Sequence, residues 1–558
     1  MTMNTSTGAP VAASDDAASA TLDYDMIIVG AGFAGLRMLV EARALGYSAR
    51  VIESGSGIGG PWFWNRYPGA RCDVFSADYS YSFSSELEQE WRWSERYPTQ
   101  PEILRYVEFV AEKFELRPDI TLNTFVRAAT FDETESQWSV TTSADAVLRC
   151  TYLVMATGCL STAKLPDIPG RDSFTGEVYQ TATWPHQSVD FAGKRVGVIG
   201  TGSSGTQLIP VVAREAEHLT VFQRTPNFSV PARNAPIGAQ QDAEIKSEYT
   251  GRRARARNSP SGLGIVPNKQ SALDAEPHDR AAHYEHQWET AGFGFVLSYY
   301  DLLLNRDSND TAADFIRAKI AATVSDPATA KKLAPTGYPF GAKRPCVDSG
   351  YFETFNRTNV TLVDIRDEHI TGITTTGVVT LDGTYDLDML VFATGFDAMT
   401  GSLLKPDIRG RGGVALRESW AQGPVTYLGL AAAGFPNFFF ITGPGSPSLL
   451  SNVLVSIEQH VEWLAGLLRF AQPGATIEVT AEAAREWTEH VNETAAKTLY
   501  SQAASYYMGD EIVGKPRVFM PYSGGVRAFG RKCNEIADDG YAGFVIDEAR
   551  VPVAQLTV

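Results

Sequence analysis

The sequence MIIVGAGFAG at residues 26–35 decides the fold of this 558-residue chain. An apolar run followed by G-x-G-x-x-G predicts a strand, a tight turn and a helix, here over residues 33–45, whose amino end faces the turn. The next apolar run, residues 49–52, ends at Glu53. An acid at this place accepts hydrogen bonds from a ribose hydroxyl. The pattern predicts a Rossmann-like unit for an FAD-like dinucleotide, with Gly30, Gly32, Phe33, Gly35 and Glu53 as candidate contacts.

A second unit of the same kind begins at residues 195–205, RVGVIGTGSSG. Its following strand, residues 219–223, ends at Arg224 rather than at an acid. An arginine at this place pairs with a 2′-phosphate, so the second unit is predicted to bind NADPH. The candidate NADPH contacts in this unit are Gly200, Thr201, Gly202, Ser203, Ser204, Gly205, Arg224 and Thr225.

Two similar apolar runs each end in Ala-Thr-Gly, at residues 156–158 and 393–395. We interpret them as the chain crossings between two domains; the alternative is two unrelated buried strands. The predicted fold class is α/β, with two Rossmann-like dinucleotide-binding domains and a mostly helical insertion. The expected boundaries are a disordered tail at 1–22, a discontinuous FAD domain at 23–155 and 390–545, a discontinuous NADPH domain at 156–226 and 336–389, and the helical insertion at 227–335.

The composition excludes several classes of protein. The net charge of −17 argues against general nucleic-acid binding, and we find no apolar run of 18 residues or basic leader that would indicate a membrane span or a signal peptide. The five cysteines form no C-x-x-C pair, which argues against a disulfide reductase and fits a reducing, cytoplasmic location. No histidine cluster predicts a metal site. The basic run at residues 252–257 is interpreted as a solvated helix face.

A family resemblance narrows the function. Residues 174–185, FTGEVYQTATWP, resemble the signature F-x-G-x-x-x-H-x-x-x-W-[PD] of Baeyer–Villiger monooxygenases, which are class B flavoprotein monooxygenases. Gln180 stands where the signature has histidine, near the link between the domains in that family. Glutamine forms hydrogen bonds but does not titrate, so we expect the change to affect coupling between domains more than chemistry.

Three further stretches are similar to the same family: residues 59–73 (GGPWFWNRYPGARCD), 341–345 (GAKRP) and 442–450 (TGPGSPSLL). The resemblance implies FAD contacts from Trp62, Trp64, Asp73, Tyr79 and Val126, and NADPH contacts from Arg71 and Lys343. It also implies a substrate pocket at Ser448, Leu449 and Leu450, and a lid at residues 506–509.

The resemblance implies that NADPH reduces the flavin and that O2 then adds to form a C4a-peroxyflavin. One oxygen atom is inserted next to a ketone carbonyl, giving an ester or lactone. Arg344 is the expected catalytic residue, because a guanidinium stays charged and stabilises an anion beside it. Asp73 is expected to hold that guanidinium in place. The expected partners are a small ketone and O2, and the expected assembly is a monomer or weak homo-oligomer.

Two alternatives remain open. One is a flavin monooxygenase that oxygenates nitrogen or sulfur, against which Trp184 and Arg344 argue. The other is a non-catalytic flavin-binding partner. The sequence does not identify the ketone, the regio- and enantioselectivity or the oligomeric state.

Overall fold

The computed structural model describes residues 22–510 and 512–547. The tail predicted at residues 1–22 therefore lies, apart from Leu22, outside the described residues.

Within these residues the strands are short and dispersed along the whole chain. In chain order they are β1 Tyr24–Val29, β2 Ala49–Ile52, β3 Ile120–Thr121, β4 Val126–Asp132, β5 Gln137–Thr142, β6 Val147–Met155, β7 Glu177–Gln180, β8 Arg195–Ile199, β9 His218–Gln223, β10 Ser229–Pro231, β11 Cys346–Asp348, β12 Val360–Asp364, β13 Ile370–Ile373, β14 Gly377–Thr380, β15 Thr384–Asp386, β16 Met389–Phe392, β17 Asp407–Arg409, β18 Phe438–Phe440, β19 Thr476–Val479 and β20 Phe544–Asp547.

The α-helices alternate with these strands or follow them. They are α1 Phe33–Ala44, α2 Pro61–Trp64, α3 Ser85–Glu90, α4 Gln100–Lys113, α5 Ser203–Glu215, α6 Ala239–Arg257, α7 Pro277–Thr290, α8 Arg306–Thr323, α9 Pro327–Leu333, α10 Tyr351–Thr354, α11 Gly401–Leu404, α12 Leu416–Ser419, α13 Val453–Ala471, α14 Ala481–Ala496 and α15 Val526–Asp538. In the part of the chain that the structure describes, no helix is long and apolar enough to cross a membrane.

The first domain is built on an eight-stranded sheet in the order β17-β4-β5-β6-β1-β2-β3, with β18 also paired to β6. Strand β1 pairs in parallel with both β2 and β6, so the first glycine turn leaves the sheet at its centre. Helices α1, α4 and α13 contribute to the apolar core on this sheet, and Ile28, Leu36 and Leu464 are fully buried in it. This is the arrangement that places a glycine turn at the carboxyl edge of a parallel sheet.

The second domain is built on a five-stranded sheet in the order β12-β9-β8-β16-β7, and every pair in it is parallel. Strand β8 lies at its centre and leads into the second glycine turn and α5. The predicted fold class, two Rossmann-like domains with a mostly helical insertion, is confirmed. The expected boundary at residue 390 was wrong, because β16 belongs to this second sheet and the chain leaves it only after Phe392.

The two glycine turns are covered in the same way by the two Ala-Thr-Gly segments. Gly30 (φ 104°) and Gly200 (φ 111°) adopt left-handed backbone that favours glycine. A Cβ on Gly30 would lie 2.7 Å from the carbonyl oxygen of Ala156, and a Cβ on Gly200 would collide with that of Ala393. The main chain of each Ala-Thr-Gly segment therefore lies directly against one glycine turn.

The third glycine of each motif allows the helix after the turn to pack closely against the turn and the strand before it. A Cβ on Gly35 would collide with the carbonyl oxygen of Gly30, and one on Gly205 with that of Gly200. We expect Gly35→Ala to destabilise the protein by about 3 kcal/mol, because the backbone cannot move away without opening the turn. Chemical denaturation would measure the change in the free energy of unfolding.

The matched control is Gly530→Ala in α15, where a Cβ would meet nothing within 4 Å. Alanine there is expected to stabilise by about 0.5–1 kcal/mol, since it restricts the unfolded chain. Equal effects at the two positions would contradict the packing argument.

The two crossings between the domains lie side by side. Ala163 and Phe396 form an antiparallel bridge, flanked by hydrogen bonds from the Lys164 amide to the Gly395 carbonyl (3.0 Å) and from the Asp397 amide to the Thr162 carbonyl (2.9 Å). The two chain segments that join the domains thus form one short two-stranded link.

The insertion carries α6 to α9 and contacts the first domain through its basic run. Arg252 forms a bidentate ion pair with the buried Asp78 at 2.5 and 2.8 Å, and Arg253 pairs with Glu88 at 2.7 Å. The interpretation of residues 252–257 as a solvated face was therefore wrong for these two arginines. Their acidic partners lie more than 160 positions earlier in the chain, so no local pattern indicates the pairing.

Candidate active site

A cavity of about 1500 Å³ lies between the domains and is lined by both glycine turns. The predicted site residues that line it are Gly30, Gly32, Phe33, Glu53, Trp62, Trp64, Arg71, Asp73, Tyr79, Val126, Gly200, Thr201, Gly202, Ser203, Ser204, Arg224, Thr225, Lys343, Arg344, Ser448 and Leu449. Residues from both domains and from the C-terminal segments thus surround one space.

The first glycine turn has the donor set of a dinucleotide site. Gly32 is the N-cap of α1 and has no side chain to cap the first-turn N–H groups of the helix, which leaves them available to an anion. The Glu53 carboxylate, 5% exposed, accepts hydrogen bonds from the amides of Ala31 and Gly55, both at 2.7 Å. These bonds fix an acid at the edge of the cavity. Uncapped amides beside a fixed carboxylate fit a pyrophosphate and a ribose.

The second glycine turn has cations where the first has an acid. Gly202 caps α5, again without a side-chain cap. The exposed Arg224 and the half-buried Thr225 and Lys343 line the same cavity as this turn. The ammonium of Lys343 lies 5.4 Å from the centre of the Tyr338 ring. A helix amino end with two cations and a hydroxyl suits a dianionic phosphate.

Arg344 and Asp73 form a bidentate ion pair in the cavity wall. The guanidinium donates from Nε to Oδ2 at 2.7 Å and from Nη2 to Oδ1 at 3.0 Å, and each side chain is under one-fifth exposed. Burial disfavours the charge of Arg344, but the Asp73 carboxylate outweighs it and raises the pKa of the guanidinium well above its ordinary value. The site therefore holds a permanent positive charge with fixed orientation.

A main-chain carbonyl and three aromatic side chains surround the Arg344 guanidinium. Its Nη1 donates to the carbonyl of Leu449 at 3.0 Å, and its Cζ lies 4.3 Å from the centre of the Phe293 ring. Tyr506 lines the cavity nearby, and its ring centroid is 4.6 Å from that of the buried Tyr507. Burial raises the pKa of both tyrosines, so both hydroxyls stay protonated.

A buried histidine forms a hydrogen bond to the start of the segment that supplies Leu449. His460 on α13 is fully buried, and its Nδ1 accepts a hydrogen bond from the Thr442 amide at 3.0 Å. Thr442 itself has left-handed backbone (φ 61°), and its carbonyl accepts from the Ser448 hydroxyl at 3.3 Å. His460 therefore fixes the strained start of the predicted pocket segment.

Burial lowers the pKa of His460 to about 3, from an ordinary value of 6.5. The unfolded chain binds this proton first, so the stability contributed by neutral His460 is complete above about pH 6.5 and is lost as the pH falls towards 3. We expect His460→Asn, which keeps an acceptor but does not titrate, to reduce the loss of stability between about pH 7.5 and about pH 5.5 by about 1.4 kcal/mol.

Unfolding free energies at the two pH values would measure this difference. The matched control is His278→Asn, whose side chain is 94% exposed and whose replacement is expected to change nothing. An unchanged pH dependence in His460→Asn would remove His460 from the acid sensitivity.

Three predicted site residues do not line the cavity. Gly35 and Gly205 face their own strands, as described above, so they shape the turns without facing the cavity. Leu450 packs instead against a cluster that includes Leu449, Tyr507 and Phe519. Leu449 belongs to the same cluster and still lines the cavity, so the role of Leu450 in the substrate pocket stays a prediction.

The signature segment lies beside the interdomain link. The Gln180 amide donates to the Lys164 carbonyl at 3.2 Å, and the Thr394 hydroxyl donates to the same carbonyl at 2.6 Å. Trp184 is buried and stacks on Tyr179, with ring centroids 5.1 Å apart. Gln180 therefore contacts the link, Trp184 packs in the core of the second domain, and neither residue lines the cavity.

Several cavity residues carried no recognised signal in the sequence. They are Tyr67, Lys164, Gln207, Asn227, Arg366, His369, Lys405 and Ser505. Tyr67 lies within the family-like stretch at residues 59–73 and was the only one of them that a motif could have indicated. The others come from segments that only the tertiary fold brings together.

The described residues contain no group of histidine, cysteine and acidic side chains able to hold a metal ion. All five cysteines lie in the described part of the chain, where each is buried and free.

Known proteins resemble this chain over most of its length. The family model for pyridine nucleotide-disulphide oxidoreductases matches residues 27–246. A phenazine N-monooxygenase of Lysobacter antibioticus is 42% identical over 94% of this chain and 97% of its own. A Baeyer–Villiger monooxygenase of Pseudooceanicola batsensis is 39% identical over 94% of this chain and 96% of its own.

Among solved structures, an oxidised steroid monooxygenase bound to NADP is 50% identical, with a TM-score of 0.90 over 94% of this chain and 100% of that one. Two Rossmann-like domains share one cavity, and an arginine–carboxylate pair lies in its wall. This arrangement is typical of flavoproteins that bind two dinucleotides, FAD and a nicotinamide coenzyme. The chain belongs to the Baeyer–Villiger monooxygenase family.

Proposed function

We propose that this protein is an FAD- and NADPH-dependent monooxygenase that inserts one atom of O2 between a ketone carbonyl and the adjacent carbon, giving an ester or lactone. The second oxygen atom leaves as water, with NADPH and a proton as the source of electrons and hydrogen. The observation that carries the proposal is the Arg344–Asp73 pair in the wall of the cavity that both glycine turns line.

FAD would be held by the first domain, with its pyrophosphate at the Gly30–Gly32 turn and its ribose at Glu53. NADPH would be held by the second domain at the Gly200–Gly202 turn, with Arg224, Thr225 and Lys343 at the 2′-phosphate. An OTEMO complex with FAD and NADP, 38% identical with a TM-score of 0.91, supports this pair of cofactors. When bound, the reduced flavin supplies the chemistry that activates O2.

Arg344 would stabilise the negative charge that develops in the oxygen-transfer reaction. Its charge is permanent, and Asp73 and the Leu449 carbonyl fix three of its N–H groups, so its orientation needs no adjustment during the reaction. A preorganised donor of this kind contributes about 3–4 kcal/mol to the transition state. Asp73 acts through Arg344 and is a positioning residue.

Aromatic side chains would exclude water from the reacting end of the cavity. Tyr500, Tyr507 and Phe519 are buried together behind Tyr506, and Tyr500 stacks on Phe519 with ring centroids 5.3 Å apart. An apolar wall behind a charged group strengthens that group's electrostatic effect, because the local dielectric constant is low. This favours oxygen transfer over release of hydrogen peroxide.

Product analysis under ¹⁸O2 tests the function. The purified protein would be supplied with NADPH and a panel of cyclic, aryl, long-chain and steroid ketones. The expected product is an ester or lactone with one ¹⁸O atom per molecule. Consumption of NADPH with hydrogen peroxide as the only product across the panel would refute the proposal. Bound FAD without ketone-stimulated NADPH consumption would indicate a non-catalytic flavin-binding partner instead.

A second candidate is oxygenation of an aromatic nitrogen, which the relative named phenazine N-monooxygenase favours. A competition between an aryl ketone and a phenazine in one reaction distinguishes the two functions. An N-oxide without any ester would replace the first proposal with the second.

The 50% identical steroid monooxygenase supports a bulky ketone as substrate. We further propose a cytoplasmic location, which free cysteines suit because that compartment is reducing. We propose a monomer or weak homo-oligomer, which size-exclusion chromatography with light scattering would test.

A further inference from the structure

Gln207 on α5 connects the second domain to the loop of the first domain that carries Asp73. Its side-chain amide donates to the Arg71 carbonyl at 3.1 Å, and its Oε1 accepts from the Arg71 amide at 3.4 Å. The same Oε1 accepts from the Tyr67 hydroxyl at 2.8 Å. One side chain thus satisfies both main-chain groups of Arg71, as a neighbouring strand would.

The loop at residues 67–73 also lies in close steric contact with α5. A Cβ on Gly69 would collide with the Gln207 carbonyl oxygen and would lie 3.1 Å from a methyl of Val211. From the other side, main-chain hydrogen bonds hold the loop to its own domain, from Gln100 to Ala70 (2.9 Å) and from Cys72 to Pro98 (3.0 Å). The loop is therefore held between the two domains.

Asp73 follows two residues after Arg71, and its partner Arg344 belongs to the second domain. The bidentate geometry requires both carboxylate oxygens to meet both nitrogens, so a small displacement of the loop would leave one bond. Gln207, an uncharged side chain, holds the loop at Arg71, next to this ion pair. Burial raises the pKa of Tyr67 to about 12, so its hydroxyl remains a donor to Gln207.

We propose that Gln207 is a positioning residue for oxygen transfer. Its side-chain amide holds the main chain of Arg71 in place, so that the Asp73 carboxylate can form both hydrogen bonds to Arg344. The inference rests on the proposed function. Its consequence is that Gln207 controls how much of the NADPH consumed becomes ester and how much becomes hydrogen peroxide, because a misoriented Arg344 stabilises the reacting anion less.

The first test is Gln207→Leu, which keeps the size of the side chain and removes all three hydrogen bonds. The expected result is a decrease of about 10-fold in ester formed per NADPH, with a matching rise in hydrogen peroxide. The anaerobic rate of flavin reduction by NADPH should stay close to wild type, and the thermal midpoint should fall by only a few degrees, because the lost hydrogen bonds leave the Arg71 main-chain groups without this partner. Tyr67→Phe removes one hydrogen bond and is expected to give a smaller decrease, about 3-fold.

The matched control is Gln240→Leu, at an exposed position of α6, which should leave the ester-to-peroxide ratio unchanged. An unchanged ratio in Gln207→Leu would overturn the inference. So would an equal slowing of flavin reduction and ester formation, which would mean that Gln207 only helps to bind NADPH. If Gln207→Leu does not fold, the test passes to Tyr67→Phe. An unchanged ester-to-peroxide ratio in that variant would then overturn the inference.

A double-mutant cycle tests whether Gln207 acts through Asp73. In an Asp73→Asn background the bidentate register is already lost, so adding Gln207→Leu is expected to lower the ester yield by less than about 2-fold further. If the decrease in the double variant equals the product of the two single decreases, Gln207 does not act through Asp73. Wild-type protein that forms no ester from any ketone would refute the proposed function itself, before any variant is compared.

Discussion

Arg344→Ala is expected to reduce ester formation by about 10²–10³-fold while NADPH still reduces the flavin. The substitution removes the permanent charge beside the reacting anion and leaves the Asp73 carboxylate without its partner. Two measurements separate these steps: anaerobic stopped-flow absorbance for reduction of the flavin, and chromatography of the ester for oxygen transfer. NADPH consumption should then end mainly in hydrogen peroxide.

Arg344→Lys refines this expectation. Lysine keeps the charge but cannot form the two parallel hydrogen bonds to Asp73, so its activity should lie between alanine and wild type. The surface control is Arg485→Ala, since Arg485 is 56% exposed and pairs with Glu489 one helical turn away. Unchanged ester formation in Arg344→Ala would remove this residue from the reaction.

Arg224→Ala is expected to lower kcat/KM for NADPH by about 10–100-fold and to leave kcat/KM for NADH nearly unchanged. The reason is that a charge-assisted hydrogen bond of about 1.5–3 kcal/mol is available only when the 2′-phosphate is present. Steady-state kinetics with both coenzymes, at fixed ionic strength, would measure the two ratios.

The matched control for this change is Arg214→Ala, an exposed arginine of α5 outside the cavity lining. It should affect neither coenzyme, since it changes the net charge of the protein by the same amount without touching the site. A similar loss for NADPH and NADH in Arg224→Ala would refute the contact with the phosphate.

The local parts of the fold could be predicted because their causes are local. Glycine spacing and apolar runs placed the first helix at 33–45, against Phe33–Ala44 in the structure, and placed the central strands of both sheets. The exit from the second sheet was placed too early, at residue 390. The chain leaves the second sheet at the Ala-Thr-Gly turn that follows β16. The strand itself gives no such information, because a buried strand is equally apolar whether it belongs to the first sheet or the second.

The candidate site could be predicted where a motif carries the chemistry, as at Glu53, Arg224 and Arg344. It could not be predicted where a side chain works through tertiary contact. Gln207 bonds a loop 136 residues earlier in the chain, and Phe293 lies beside Arg344 only because the insertion folds back over the second domain. Likewise, Asp78 gives Arg252 a buried partner that no helical periodicity can reveal.

The paired crossings at Ala163 and Phe396 restrict how one domain can move against the other. Two bodies joined by a single flexible strand are free to swivel in every direction, whereas two strands bonded side by side leave rotation about one axis as the soft mode. Gln180 bonds a carbonyl on that axis. Any change in the width of the cleft should therefore follow a single arc about this link.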